Sequence, residues 1–424
     1  MRLAIIRQDY MPEGSTELFL EAAWEALLER NVAVTLYTRK VAPLRLRLIE
    51  QIACDPFHLG HGWRDAGFAR AVCRVIAKAR ADLVEAHHPL PCCDVYRADN
   101  GVYAAWFDAE LARASSWHGV RLRASLQWRY LLAAERRMFA SPWLSAVICP
   151  STLVRDEVRA RFGLPDAKLH VVPHPVDTSG LTPALRAHRA ATLARHGVDP
   201  AATVFLFASN DWRRDDARTA IDAVARAPAP AHLLLLGQPP TPDAPERWLR
   251  ACGAVARASF VGQPADPRAY LGAADAFVLP ARYDPRGAAA LDALAAGVPP
   301  IVGERSGAAA LVRERDCGLV VPTAEVSAWA FAMASLTDPG RRARLAANAR
   351  NAVLPFAGVA MTLRAVLLYR DLLAATVPAR GGTGTPALAG ANGIPTLDSD
   401  AALPQAPPRR HRPDRPEGGG ADPG

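Results

Sequence analysis

The chain has 424 residues, 50% of them hydrophobic, and carries a formal net charge of +8 at pH 7. That length and apolar content fit two ordinary domains with substantial cores and exclude a chain disordered over most of its length. The excess of positive charge suits anionic partners such as phosphates, nucleic acid or acidic lipid headgroups, and says nothing about fold.

Residues 2–6 read as a short first strand and not as a leader, because no small-residue cleavage pattern follows them. A polar turn at 9–15 leads to a helix over 16–29, with Leu18, Ala22, Ala26 and Leu27 on one face, and then to a strand at 32–37. Strand, loop, helix, strand in repetition predicts a parallel sheet covered on both faces by helices. The pattern continues with a helix at 67–80, strands at 82–86 and 145–150 separated by a long helical stretch, a helix at 154–161 and a strand at 170–173. Residues 181–196 read as a linking helix. A second alternation then sets strands at 203–208, 232–237, 260–262, 276–280 and 300–303 between helices at 218–225, 246–256, 267–273 and 288–296. Helices at 329–336, 341–347 and 359–375 follow. No run of 18 apolar residues occurs, so no span of a membrane is expected.

The expected organisation is a Rossmann-like domain over 1–180, a second over 181–358, a C-terminal helix at 359–375 and a disordered tail at 376–424. The tail holds nine prolines, nine glycines and no Phe, Tyr or Trp, so it can bury little. Its RRHRPDR cluster reads as solvated. Seven cysteines, odd in number and without repeated CxxC spacing, read as reduced, packed side chains; neither a disulfide framework nor a zinc site is expected.

LPARYDPRGAAALDALAAGVPPIVGERSG, residues 279–307, is the most informative segment. A strand ends, a loop carries Arg282, Asp284 and Arg286, and a small-residue helix follows Gly287 with Asp292 on its second turn. A helix start offers unpaired N–H groups and the positive end of a dipole, a seat for a diphosphate. Carboxylates before and within that helix can accept hydrogen bonds from sugar hydroxyls. Equally, Asp284 reads as a turn or cap residue and Asp292 as a solvated helix acid.

This segment resembles the donor-site motif of the GT-B retaining glycosyltransferases of family 4, in which two glutamates eight positions apart precede an AxGxP close. Asp284 and Asp292 stand at the two acidic positions, and Ala295, Gly297 and Pro299 match the close. Aspartate in place of glutamate withdraws the second carboxylate by about 1.5 Å, one carbon–carbon bond. The resemblance covers roughly residues 1–375 and is nearest to the bacterial lipopolysaccharide core glucosyltransferases. It implies a GT-B fold, two Rossmann-like domains facing across a cleft, with the acceptor on the side of the first and the nucleotide sugar on the second. Gly14, after the first strand, stands where the family has a glycine-rich turn facing the donor; a plain turn reads as well.

In HHPLPCCDVYRADNGVYAAW, residues 87–106, the family has an acid proposed as catalytic where this chain has Asn100. Asp99 replaces the preceding glycine and Tyr103 a histidine; His87, His88 and Tyr103 are assigned to the acceptor side. An amide cannot take a proton as a carboxylate does, so Asp99 substitutes only if the loop shifts, and an ordinary strand-edge cluster accounts for Tyr96, Arg97 and Asp99 as well. In ASNDWRRDDARTAIDAV, residues 208–224, Arg214 falls on the family's phosphate-clasping arginine, but Asp215 and Asp216 replace its lysine and glycine. An anion beside a diphosphate reverses an attraction; Arg213, or a divalent ion on the two aspartates, would offset this.

The resemblance implies a retaining transfer of a hexose, glucose from UDP-glucose, to a saccharide or lipid-linked acceptor of a surface polysaccharide or lipopolysaccharide core. Arg213, Arg214, Arg286 and Gly287 would bind the donor with Asp284 and Asp292; Asp99, Asn100 and Asp284 are the catalytic candidates. No metal, no cofactor and no nucleic acid enter that scheme. The segment 117–137, WHGVRLRASLQWRYLLAAERR, joins tryptophans to arginines and suits an acidic membrane face, while an inter-element helix with solvated arginines fits it too. The location expected is cytoplasmic, peripheral on the inner face of the plasma membrane. The alternative is a catalytically weak or inactive relative that binds a glycan, a nucleotide or a protein through the same cleft.

Overall fold

A computed structural model describes residues 1–379 except 11–14, 42, 45, 47, 79, 80, 229, 323 and 324, with the backbone alone at 15–19 and 375–379. The first sheet is formed by β1 (Arg2–Ile6), β2 (Ala33–Thr38), β3 (Glu50–Ala53), β4 (Leu83–Ala86), β5 (Val95–Arg97), β6 (Ala146–Cys149) and β7 (Leu169–Val171). Its order is β3-β2-β1-β4-β5-β6-β7, and every pair is parallel. The second comprises β8 (Thr203–Ser209), β9 (Ala231–Gly237), β10 (Ala258–Gly262), β11 (Ala276–Leu279), β12 (Pro300–Gly303) and β13 (Leu319–Val321), ordered β10-β9-β8-β11-β12-β13, again parallel.

Strands such as Ala231–Gly237, with the run LLLL, are apolar on both faces because helices cover both; Leu233, Leu234 and Leu235 are fully buried. Each sheet is wound outward in both directions from its first strand. The order therefore reverses between β1 and β4, and again between β8 and β11. Ligands of such sheets bind beyond the carboxyl ends of the strands at these reversal points, where crossover helices leave on opposite faces and a crevice opens.

Expected and observed elements differ at places with identifiable causes. β3 and β5 are four and three residues long, too short for an alternation to register. The linking helix is divided: a 3-10 turn, Pro183–His188, starts at a proline that cannot donate, and an α-helix, Arg189–Arg195, continues it. The last helix, Gly358–Ala379, enters the segment assigned to the tail; residues from 380 lie outside those described. This helix returns to the first sheet, where Met361, Val366, Tyr369 and Leu373 pack with Leu3, Ile5, Trp24 and Leu83.

The reduced-cysteine reading is corrected at one pair. Cys73, on the helix His61–Lys78, is bonded to Cys92 in the loop after β4, with Cα atoms 5.9 Å apart. A count and a search for CxxC miss it, because the helix and the loop are brought together only by the crossover between β3 and β4. The other five cysteines are free, and Cys54, Cys93, Cys149 and Cys317 among them are buried. Among the described residues, no helix is long and apolar enough to cross a membrane.

Candidate functional site

At the first reversal point β4 carries Glu85, which is 0% exposed. A carboxylate so placed needs partners. Arg97, at the end of β5 on the same face of the sheet, donates from Nε to Glu85 Oε1 at 2.8 Å. Its Nη2 donates to the hydroxyl of Tyr369 on the last helix at 2.9 Å. His87 Nε2 lies 3.2 Å from Glu85 Oε1, and its Nδ1 lies 3.3 Å from Asp99 Oδ2 and 3.2 Å from Arg7 Nη1. Burial alone would raise the Glu85 carboxyl; Arg97, His87 and Tyr369 outweigh it and hold it down to about 2. Asp99 is likewise held well below the usual carboxylate range, against its burial, by His87, Arg97 and Arg286.

Asp99 reaches the cleft. A small cavity there is lined by Arg97, Asp99, Pro150 and His174 of the first half and by Arg286 of the second. Burial, with Arg286 adding to it, pushes His174 down to about 4, so it is neutral near pH 7. Asn100 is exposed and hydrogen-bonded to Tyr103, whose ring is buried at the start of the helix Tyr103–Arg113. Tyr103 therefore packs within the first half. His87 is buried in the Glu85 cluster; burial pushes His88 down to about 3, and its Nε2 has no partner.

The second reversal point joins the loop after β8 to the loop after β11, tied by Arg282 N–H donating to Arg214 O at 3.1 Å. Asp216 has φ +55°, left-handed backbone that glycine takes without cost and aspartate tolerates. Arg214 donates from Nε to Asp215 Oδ1 at 3.1 Å, and Ser209 Oγ donates to Asp215 Oδ2 at 2.6 Å. The arginine is thus neutralised from within its own loop. Arg213 is exposed.

Asp284 is buried and both its oxygens are taken, Oδ1 by Gly287 N–H at 3.0 Å and Oδ2 by Ser306 Oγ at 2.9 Å. Burial, reinforced by Asp215, raises its carboxyl above the usual range. It acts as the cap that this position allows. Gly287, with φ +67°, is the N-cap of the helix Ala288–Ala295 and makes no side-chain cap, which leaves first-turn N–H groups for a ligand. Asp292, one turn on, is pushed up to about 7 by burial and by neighbouring Asp177. Gly14 lies outside the described residues.

Ties between the halves surround these loops, and sequence reasoning missed them. Tyr283, 1% exposed, joins the core of the first half. Its hydroxyl accepts from Val102 N–H at 2.8 Å and donates to Glu157 Oε2 at 2.6 Å. Arg305 donates to Glu157 Oε1 at 3.0 Å and to Ala105 O at 3.1 Å, and Ser151 Oγ donates to Pro285 O at 2.7 Å. Arg113 Nη1 lies 2.7 Å from Asp216 Oδ2, and Arg282 Nη1 lies 3.3 Å from Glu110 Oε2. The one signal in the sequence was Asp216 itself, a charge where a glycine stands in the resembling family. Among the described residues no three His, Cys, Asp or Glu side chains gather as a metal would require; of the two adjacent aspartates, Asp215 is engaged by Arg214 and Ser209 and Asp216 by Arg113.

Residues 17–179 match a model described as Glycosyltransferase Family 4, and residues 190–352 match one described as Glycosyl transferases group 1. A D-inositol 3-phosphate glycosyltransferase of Rhodococcus jostii (strain RHA1) is 30% identical over 216 residues, 48% of this chain and 47% of that protein. The chain thus spans about half the length of the curated relatives it matches. The crystal structure of WaaG, a glycosyltransferase involved in lipopolysaccharide biosynthesis, superposes with a TM-score of 0.73 at 19% identity over 86% of this chain and 99% of that one. Anabaena HepE, solved with UDP and glucose, gives a TM-score of 0.63 at 17% identity over 88% of this chain and 100% of its own. At those identities the likeness establishes the fold.

Proposed function

This chain belongs to the GT-B glycosyltransferases of the family 4 and group 1 type, and from that premise we propose that it moves a sugar from a nucleotide-sugar donor to a saccharide acceptor. The observation that carries the reading is the second reversal point. A helix start whose N-cap Gly287 makes no side-chain cap, an acid one turn into that helix and Arg214, near enough to Asp284 to feel its charge, belong to this point, and Arg286 of the same loop lines a cavity with Asp99. In this scheme the diphosphate sits on the N–H groups after Gly287 and on Arg214 and Arg213. Asp292 accepts from the ribose hydroxyls, and Arg286 faces the reacting centre from the donor side. Asp99 fills on the acceptor side the place that Asn100 cannot. Burial between two halves excludes water and limits hydrolysis of the donor.

The finer reading is retaining transfer of glucose from UDP-glucose to a lipopolysaccharide-core or surface-polysaccharide acceptor. It is supported by the motif at Asp284 and Asp292 and by the fold shared with WaaG and with a UDP-binding structure. A peripheral seat on the inner face of the plasma membrane completes it. Trp117 and Leu126 are 73% and 75% exposed beside the exposed Arg121, Arg123 and Arg129. Gly62 abuts the backbone of Leu126 and Gln127, and its neighbour Trp63 is also exposed. Cosedimentation with phosphatidylglycerol vesicles, absent with phosphatidylcholine and lost in Trp117→Ala with Leu126→Ala, tests this seat.

One set of observations favours a second reading, a weak or inactive relative that binds a glycan or nucleotide. Asn100 stands at the acid's place, Arg214 is paired internally and both oxygens of Asp284 are occupied. Calorimetry with UDP and UDP-glucose, followed by UDP release with and without acceptor extract, separates the two. Turnover lost in Asp99→Asn supports the first reading; binding without turnover supports the second.

A further inference from the structure

We infer that Tyr283 is a positioning residue that pins the acceptor-side loop of residues 98–102 to the donor-side loop of residues 282–287. The inference rests, for its consequence in catalysis, on the transfer reading above; the pin itself does not.

Three observations converge on the tyrosine. First, it belongs to the second half in sequence, next to Asp284, yet its ring is buried in the core of the first half, among the residues that surround Tyr96, Val102 and Ala105. Second, its hydroxyl is fully used there: it takes the Val102 N–H at 2.8 Å and gives its proton to Glu157 at 2.6 Å. Val102 N–H precedes the helix Tyr103–Arg113 and follows directly on Asp99, Asn100 and Gly101, so this bond sets the height of the acceptor-side loop. Third, the loop has been shaped to the ring. Gly101 has φ +73°, and a Cβ there would come within 2.3 Å of the Tyr283 hydroxyl oxygen. No side chain other than hydrogen fits while the tyrosine is seated.

Neighbouring groups hold the pin in place. Arg305 stacks its guanidinium 5.1 Å from the ring centroid and bonds Glu157 Oε1 at 3.0 Å, so the carboxylate is shared between tyrosine and arginine. The pin is short and stiff because Asp284, the next residue, is clamped: its N–H donates to Arg305 O at 3.1 Å and its O accepts from Gly307 N–H. Displacement of the 282–287 loop is therefore passed to Val102 through one aromatic ring. Transfer between substrates on opposite sides of a cleft needs reacting atoms placed to a fraction of an ångström. A rigid link between Asp284 and the Asp99 loop supplies that placement without touching substrate.

The test uses the full chain and two conservative variants, Tyr283→Phe, which keeps the ring and removes the hydroxyl, and Glu157→Gln. Hydrogen exchange is followed by mass spectrometry in peptides covering 98–106, 152–157 and 282–287, with the helix Ala217–Arg226 as an internal control. The expected result is exchange faster by about tenfold or more in the 98–106 peptide of Tyr283→Phe, as the Val102 amide loses its acceptor, and a smaller rise in Glu157→Gln, where the hydroxyl keeps an acceptor that has lost its charge, with the control helix unchanged. Gly101→Ala should produce the same change in reverse, loosening 282–287 as the ring is driven out. Exchange within twofold of the parent at 98–106 in Tyr283→Phe overturns the proposal. So does an increase spread evenly over both halves, which is loss of the fold and not release of a pin. With UDP-glucose as probe, Tyr283→Phe should lower kcat by about tenfold while KM changes by less than about twofold, the split expected of lost positioning. Parent protein that shows no turnover, with the exchange result intact, defeats the transfer reading and leaves the pin standing.

Discussion

Replacing Asp215 by asparagine is expected to strengthen binding of a nucleoside diphosphate. Asp215 Oδ1 lies 3.1 Å from Arg214 Nε, and the two side chains are 10% and 34% exposed. Such a pair falls between a surface pair, worth under about 1 kcal/mol, and a buried pair broken at one end, which costs about 3–5 kcal/mol. A coupling of about 1.5–2 kcal/mol is therefore what a diphosphate must displace before Arg214 turns to it. Asparagine keeps the shape and an acceptor for Ser209, releases Arg214 and removes a charge that repels phosphate. At about 1.4 kcal/mol per factor of ten, UDP should bind on the order of ten- to thirtyfold more tightly to D215N than to the parent. Isothermal calorimetry with UDP measures it, and the gain should vanish when Arg214→Ala is added. Equal UDP affinity in parent and variant would refute the reasoning, and a gain that survives removal of Arg214 would place its origin elsewhere.

The other site residues give further expectations. Asp292 is pushed up to about 7 by burial; an acid raised in the folded state lowers stability as pH climbs from the ordinary carboxylate range to about 7. UDP affinity should accordingly rise as the carboxylate forms on passing upward through pH 7, and D292N should flatten the profile measured on either side of it. Glu85→Gln leaves the Arg97 guanidinium buried without its counter-charge and should cost about 3–5 kcal/mol in urea unfolding. Because the Glu85 carboxyl is held down to about 2, its contribution is present above the ordinary carboxylate range and lost as pH falls toward that value. D216G removes the cost of left-handed backbone, about 1 kcal/mol, and also the pair with Arg113, so its Tm should stay close to the parent's.

Strands such as β1, β8 and β9 were legible because each is an apolar run of five to seven residues bounded by turns. β5 was not, since its three residues include an arginine whose partners come from β4 and from a helix 272 positions away. Within the site, Asp284 and Asp292 were found by their spacing, and their environments then diverged. One carboxylate is consumed as a cap and the other is buried beside a like charge. The reading of Asp215 and Asp216 as opponents of phosphate described only their charge. Asp216 turns away to Arg113 across the cleft, a pairing set by how the halves meet and carried by no local pattern. Tyr283 left no trace in periodicity for the same reason.

The helix Gly358–Ala379 is the last described element to be synthesised, yet it covers Leu3, Ile5 and Trp24, among the first, and roofs the Glu85–Arg97 pair with Tyr369. While the chain is being made, the amino-terminal half therefore waits with an oily flank and a charged pair open to water until residues 358–379 have emerged. Ribosome-associated holding factors would meet that flank until then, and a frameshift or stop codon ahead of residue 358 would cripple the half farthest from it in sequence.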